Sequence, residues 1–328
     1  MTRLRRASLF FLVATLAHAQ LAAADGARTQ TLTAGQAQLK ERQAALQRQV
    51  TRPRKVATQA TLTGLKGRGA QAQKLSFPGD DGGAERLLLR VPGRGTSWGT
   101  RANEAVGMLA SQLGEPHWVP AGIDVEATTF HGINGVLSDT GRKAQSDKGH
   151  LMVVEFVGSG FKDGEEAPVA WLRAVPEAAR VKAAVIDALS IARDRKLANV
   201  MVNESGDLRL IDHDITFGQK SEKGPHFASS FWKGQAIGYT SRQARFEDLP
   251  ASVQKVVRAI AEEDDLDALR KVFPISRQDR LPWMRNMAKA IVQHGLDAAV
   301  KAVVDESTQK GFTHVDDTPN AVTLRNGR

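Results

Sequence analysis

Asp194, Asn199 and Asp212 are the side chains whose types and spacing could do chemistry, in the stretch DRKLANVMVNESGDLRLIDHDITFG that runs from Asp194 to Gly218. Asn199 and Asp212 offer hard oxygen donors, the kind Mg²⁺ and Mn²⁺ take alongside phosphate oxygens. A further carboxylate, Asp194, would orient an attacking hydroxyl. Phosphoryl transfer asks for little beyond such positioning and charge neutralisation. Taken singly, Asn199 and Asp207 are turn formers, and Asp212 and Asp214 are exposed acids. The ordered set is harder to obtain by accident than any of its members.

These residues need elements to hold them. Val200-Met201-Val202 and Leu208-Arg209-Leu210-Ile211 flank Asn203-Glu204-Ser205-Gly206-Asp207. Short β-branched runs around a Gly-Asp turn predict a β-hairpin. With Val202 facing Arg209 and Val200 facing Ile211, Asn199 lies opposite Asp212, at the Cβ separation of about 5 Å expected of directly opposed residues. Upstream, Val181, Ala184, Val185, Ala188, Leu189 and Ala192 recur at helical spacing. They predict an amphipathic helix over 177–193 whose packed face fixes the loop carrying Asp194.

The segments DRKLANVMV and LRLIDHDITF resemble the catalytic and metal-binding loops of the phosphatidylinositol 3-/4-kinase-like branch of the protein-kinase-like fold, which carry DR-x-x-x-N followed by ID-x-x-x-x-F. The resemblance implies an α+β, bilobal fold with a β-rich N-lobe over 62–157 and a mainly helical C-lobe over 158–310. It implies that Asp194 is the catalytic Asp, that Asn199 and Asp212 are metal ligands for Mg²⁺ or Mn²⁺, and that ATP is the phosphoryl donor. Gly67 and Gly69 stand where a glycine-rich hairpin covers the nucleotide phosphates. Arg90 stands at the end of a strand where relatives carry a phosphate-binding Lys, and Glu104, on a helix over 100–113, stands where its partner is found. The run Leu151–Val157 matches the hinge, so backbone groups at Glu155 and Val157 would read the adenine edge. Guanidinium is a planar fork and ammonium a compact point charge, so Arg90 departs from the family pattern in a way that bears on turnover.

Two other chemistries are excluded by spacing. Gly158-Ser159-Gly160 lacks the G-x-S-x-G spacing of a nucleophile elbow. The histidines are scattered, without an H-x-x-x-H pair for zinc, and His213 reads as a structural neighbour between two aspartates.

The chain opens with Arg3, Arg5 and Arg6, an apolar run over 7–17 and then Ala17-His18-Ala19. Basic start, short apolar core and A-x-A describe a secretory signal peptide over 1–19, with a cut near Ala24 as an alternative. The run is shorter than the roughly 20 residues that cross a bilayer. These features predict export to a periplasmic or extracellular space. Without cysteine the fold has no disulfides and rests on its core. The net charge of +9 is unevenly placed: residues 20–74 carry ten basic side chains against two acidic ones, and the remainder after the leader is close to neutral. Residues 20–61 read as a basic arm, largely disordered or helical, with too few large apolar residues for a core and the charge to meet an anionic surface. Residues 311–328 read as a loose tail.

The functional expectation is an exported, atypical kinase-like phosphotransferase acting on a hydroxyl of a protein, lipid or small molecule. Nucleotidyl transfer would use much the same parts. The competing expectation is a non-catalytic, pseudokinase-type binding module that presents the 218–246 loop and the arm to a partner. Arg90 and the export signal both point that way.

Overall fold

The hairpin predicted around Gly206-Asp207 forms, and its surroundings explain why it holds. A computed structural model describes residues 30–31, 33, 35–51, 61–64, 71–78, 84–91, 96–126, 150–158, 160–192, 195–213, 216–217, 229–232, 235, 237–240, 245–275 and 280–301. The expected leader and tail, Gly67, Gly69, Asp194 and Asp214 lie outside these residues. The architecture is α+β, with small antiparallel sheets and a larger helical part.

Helix α1 (Gln36–Thr51) precedes strands β1 (Thr61–Gly64), β2 (Gln71–Pro78) and β3 (Ala84–Val91). Then come α2 (Thr96–Gln112), β4 (Gly122–Glu126) and β5 (His150–Glu155). The five strands form one antiparallel sheet in the order β1-β2-β3-β5-β4. Leu151, Met152, Val153 and Val154 are all buried, which suits an inner strand covered on both faces.

The second sheet, of three antiparallel strands, joins β6 (Lys162–Asp163), β7 (Val200–Val202) and β8 (Leu208–Leu210). Between β6 and β7 run α3 (Val169–Ala174) and α4 (Glu177–Ser190). Val181, Ala184, Val185, Ala188 and Leu189 of α4 are buried, as the helical spacing requires. The helix stops at Ile191, which takes a left-handed φ of 51° while Ala192 N–H donates to Asp187 O (2.9 Å). Helices commonly close this way, although glycine is the usual residue at the left-handed position.

Helices α5 (Ala251–Glu262), α6 (Leu266–Val272) and α7 (Arg280–His294) complete the helical part. Asp265 breaks α5 from α6 by capping the latter, its carboxylate accepting from Asp267 N–H (2.8 Å). α5 and α7 pack through Val253, Val256, Ile260, Met284, Met287 and Ile291, in one apolar core that reaches α2, α4 and the hairpin.

The arm departs from expectation. Gln36–Thr51 is helical, one of the two expected states, but its few apolar residues do reach the core: Leu39, Leu46 and Val50 are buried, and Leu39 packs over Gly107 of α2. Three well-spaced apolar residues suffice, because they need only fill one stripe against an existing layer.

Candidate functional site

The register of the hairpin corrects the sequence reading by one residue. Val200 pairs with Leu210 and Val202 with Leu208, so Asn199 faces Ile211 and not Asp212. Ile211 N–H donates to Asn199 O (3.1 Å), which extends the ladder by one bond. Asp212 follows directly, with a φ of 60°. A strand alternates its side chains between two faces, so neighbours 211 and 212 would ordinarily point apart. The left-handed turn at Asp212 interrupts that alternation one residue past the pairing. The expected cross-strand pairing of Asn199 with Asp212 is thus replaced by a backbone kink at Asp212, one residue past the end of the ladder.

The kink belongs to a group. Among the described residues, the non-glycine positions with positive φ are Ile191, Asp212 and Phe217. A β-branched or aromatic residue there is strained. All three border the segments singled out in the sequence. Phe217 is buried, and its N–H donates to Ser190 O (2.6 Å), one of the carbonyls left open at the end of α4. Strain of this kind persists only where surrounding contacts enforce it, and it gathers at functional sites.

Arg195 supplies those contacts. Its side chain is 1% exposed and that of Asp187 is 0% exposed. Nε donates to Asp187 Oδ1 (3.1 Å), and Nη1 donates to both Asn199 O (3.0 Å) and Ile211 O (2.7 Å). Nη2 donates to His213 Nδ1 (2.9 Å), and His213 Nε2 meets Leu210 O at 3.1 Å. A guanidinium can only donate, so His213 accepts at Nδ1 and carries its proton at Nε2. The histidine is a structural neighbour, as its sequence position suggested. Burial pushes the Asp187 carboxyl above the usual carboxylate range, against the opposing pull of Arg195 and of Ser229. Ser229 Oγ donates to Asp187 Oδ2 (2.7 Å), and Ser230 donates to Arg195 O through both N–H and Oγ (2.8 Å each).

On the other side of the hairpin, Asn199 closes a short 3-10 turn, Leu197–Asn199, that packs on Gly164. Gly164 N–H donates to Leu197 O (3.0 Å) and Val200 O (2.8 Å), and a Cβ at this position would stand 2.9 Å from Leu197 O. Backbone therefore reaches backbone only because residue 164 has no side chain. Leu210 N–H donates to Trp118 O (2.7 Å), which seats β8 on the loop between α2 and β4.

That loop meets the predicted hinge. Arg42 of α1 donates to Pro116 O, to Val119 O (3.1 Å) and to both carboxylate oxygens of Glu155, whose Oε2 also accepts from Ala121 N–H (2.9 Å). The Glu155 side chain is thus committed to a brace, and Val157, half-buried, follows the end of β5. Arg209 stacks over the Phe161 ring at 4.6 Å in the same neighbourhood. Its half-burial pulls its pKa below the ordinary value, with Asp207 acting in the opposite sense and Arg42 adding to the drop.

Glu104 sits mid-helix on α2, and burial raises its carboxyl above the usual range while Lys40 and Arg101 oppose the rise. The backbone of Arg90 pairs with Ala72 and Met152, and its side chain lies outside the described residues. The expected Arg90–Glu104 pair is therefore not described, and among the described residues the cations acting on Glu104 are Lys40, from the arm, and Arg101.

Sequence reasoning counted Arg42 only among the basic side chains of the arm, passed over Asp187 and Ser229, and quoted Arg195 only within a motif. Asp187 carried a usable signal: it is the lone acid in AAVIDALSIA, and a charge inside an apolar helical run needs a partner. Arg42 and Ser229 carried none, because their partners are remote in sequence. Among the described residues, no three His, Cys, Asp or Glu side chains gather into a metal site, and the expected ligands are one amide, Asn199, and one carboxylate, Asp212. Both are hard oxygen donors, which suits Mg²⁺ or Mn²⁺ and not a soft metal. No protein-family model and no curated protein matches this chain.

Proposed function

We propose that the chain is an atypical kinase-like phosphotransferase of bilobal, protein-kinase-like fold, transferring the γ-phosphoryl of ATP to a hydroxyl of a protein, lipid or small molecule. One observation supports it above the others: the ladder bond from Ile211 N–H to Asn199 O closes the hairpin end that carries the candidate donor Asn199, and the other candidate donor, Asp212, follows Ile211 directly at a left-handed φ of 60°. Regular strands have no need of such a kink, and a kink at this place suits a residue that must be aimed.

In this reading Asn199 and Asp212 would hold Mg²⁺ or Mn²⁺, which would supply charge neutralisation at the phosphates. Asp194 orients the acceptor hydroxyl and takes its proton at a carboxylate oxygen. Gly67 and Gly69 let backbone amides approach the phosphates, and Arg90 grips them with Glu104 behind it. Backbone groups at Glu155 and Val157 meet the adenine edge, with the Arg42 brace holding the strand end in place. In the same reading the protein is exported, on the basic, short apolar and A-x-A pattern of residues 3–19.

A pseudokinase-type binding module is the second reading, and it draws on Arg90 in place of Lys and on the cations beside Glu104, Lys40 and Arg101. The purified protein, given ATP with Mg²⁺ or Mn²⁺, is expected to bind nucleotide and label an acceptor, and Asp212→Ala is expected to abolish both. Wild type that neither binds nor transfers under any divalent metal would sink the enzyme reading. Binding without transfer would favour the binding module.

A further inference from the structure

We propose that Arg195 is a positioning residue at the centre of a buried lock that couples the Asn199–Asp212 hairpin end to the Ser229–Phe231 segment. Its effect on ligand binding rests on the phosphotransferase reading; its effect on the backbone does not.

The lock is built from directional bonds. A single nitrogen, Nη1, holds the carbonyls of Asn199 and Ile211 together, at 3.0 and 2.7 Å. It therefore sets the backbone spacing at one donor and immediately before the other. Nη2 holds His213, immediately after Asp212, through Nδ1 at 2.9 Å. Asp212 is thus flanked on both sides by residues tied to one guanidinium. Lysine offers three donors from one point and cannot span these partners, which lie along two edges of a planar fork.

The same arginine is gripped from behind. Asp187 takes Nε at Oδ1 and the Ser229 hydroxyl at Oδ2. Ser229 Oγ also accepts from Phe231 N–H (3.2 Å), and Arg195 O accepts both bonds from Ser230. Arg195 and Ser229 form an isolated parallel bridge. Phe231 is wholly buried, which fixes the far end of the segment in the core. A buried polar network whose members satisfy one another specifies a single geometry, and disturbing one member is felt by the rest. A change at Ser229 should therefore reach Ile211 through Asp187 and Arg195.

Two variants test this, each read by amide hydrogen exchange without ligand and by Mn²⁺–ATP binding under conditions where the variant is fully folded. Ser229→Ala is expected to speed exchange at Ser230 and Phe231 and also at Ile211. It is further expected to weaken Mn²⁺–ATP binding measurably, by less than the roughly ten-fold loss that removing a direct outer-shell partner of a metal ligand brings, because Ser229 acts through Asp187 and Arg195. Arg195→Lys should do the same more strongly. If Arg195→Lys fails to fold, the milder serine variant still decides. Faster exchange confined to Ser230 and Phe231, with Ile211 and Mn²⁺–ATP affinity as in wild type, would overturn the lock. If wild type binds no Mn²⁺–ATP, the phosphotransferase reading falls and exchange at Ile211 alone decides the coupling.

Discussion

Arg42 and Arg195 meet the same physical problem in two parts of the molecule, and they differ in how far water is kept from them. Each gathers backbone carbonyls from separate segments and anchors the gathering on a carboxylate, Glu155 for one and Asp187 for the other. The Arg42 pair is partly wet, with side chains 14% and 33% exposed, whereas the Arg195 pair is 1% and 0% exposed. Water can replace a lost bond at Glu155. At Asp187 it cannot, so a missing partner leaves a desolvated charge and orphaned carbonyls. The wet joint fastens an added helix to the body. The dry joint holds the candidate site.

The sharpest way to break this contrast is Arg195→Met, which should cost about 3–5 kcal/mol in urea unfolding at neutral pH, the penalty of a buried charge without its partner. Burial already holds the Asp187 carboxyl above its ordinary range, and removing the cation raises it further. Folding then takes up a proton, so the deficit should shrink as pH falls and Asp187 becomes neutral. A deficit independent of pH would mean that the carboxylate is not what suffers.

Next in size is Gly206→Ala, at the hairpin's other end. Gly206 has a φ of 81°, and a Cβ there would stand 2.5 Å from the Ala174 backbone. The backbone strain alone costs about 1–3 kcal/mol, and the clash adds to it. A thermal melt unchanged from wild type would show that α3 can withdraw from the turn. Arg42→Met should cost less, about 1–2 kcal/mol, because water reaches the groups it abandons. A loss as large as that of Arg195→Met would erase the distinction between the joints.

The smallest effect has the opposite sign. Burial lifts the Glu104 carboxyl, so its folded form binds protons more readily than the unfolded chain. The stability tied to it is present below the ordinary carboxylate range and lost as pH rises through its folded value. Glu104→Gln should therefore be slightly more stable than wild type near pH 7, with the gain vanishing in acid. Destabilisation at neutral pH would instead show that the attraction of Lys40 and Arg101 outweighs the cost of burying the carboxylate.

Much of the frame was legible in the residues. Period-3.6 burial in α4 and the Gly-Asp turn between β-branched runs are local signals, and local signals survive in sequence. The one-residue error in register had a physical origin: strand alternation says which residues share a face, but pairing between strands depends on the turn. Here the turn closes as Asn203 Oδ1 accepts Asp207 N–H (2.8 Å), and Gly206 N–H donates to Asn203 O (3.0 Å). The arm was misread for a different reason. Its apolar residues are few, and the partner that makes them sufficient, the face of α2 at Gly107, begins some fifty residues later.

By itself, then, the sequence determined the types and order of the candidate donors, the hairpin between them and the helix before them, because each of these follows from neighbouring residues. Tertiary structure decided the rest. It made Asp212 the kink beyond the ladder, chose Arg195 as the residue that holds the two strands together at the open end of the hairpin, and turned a basic arm into a helix braced on Glu155. Those outcomes depend on bonds such as Asp187 to Ser229 and Arg42 to Glu155. Their partners lie far apart along the chain and meet only when the core closes around them.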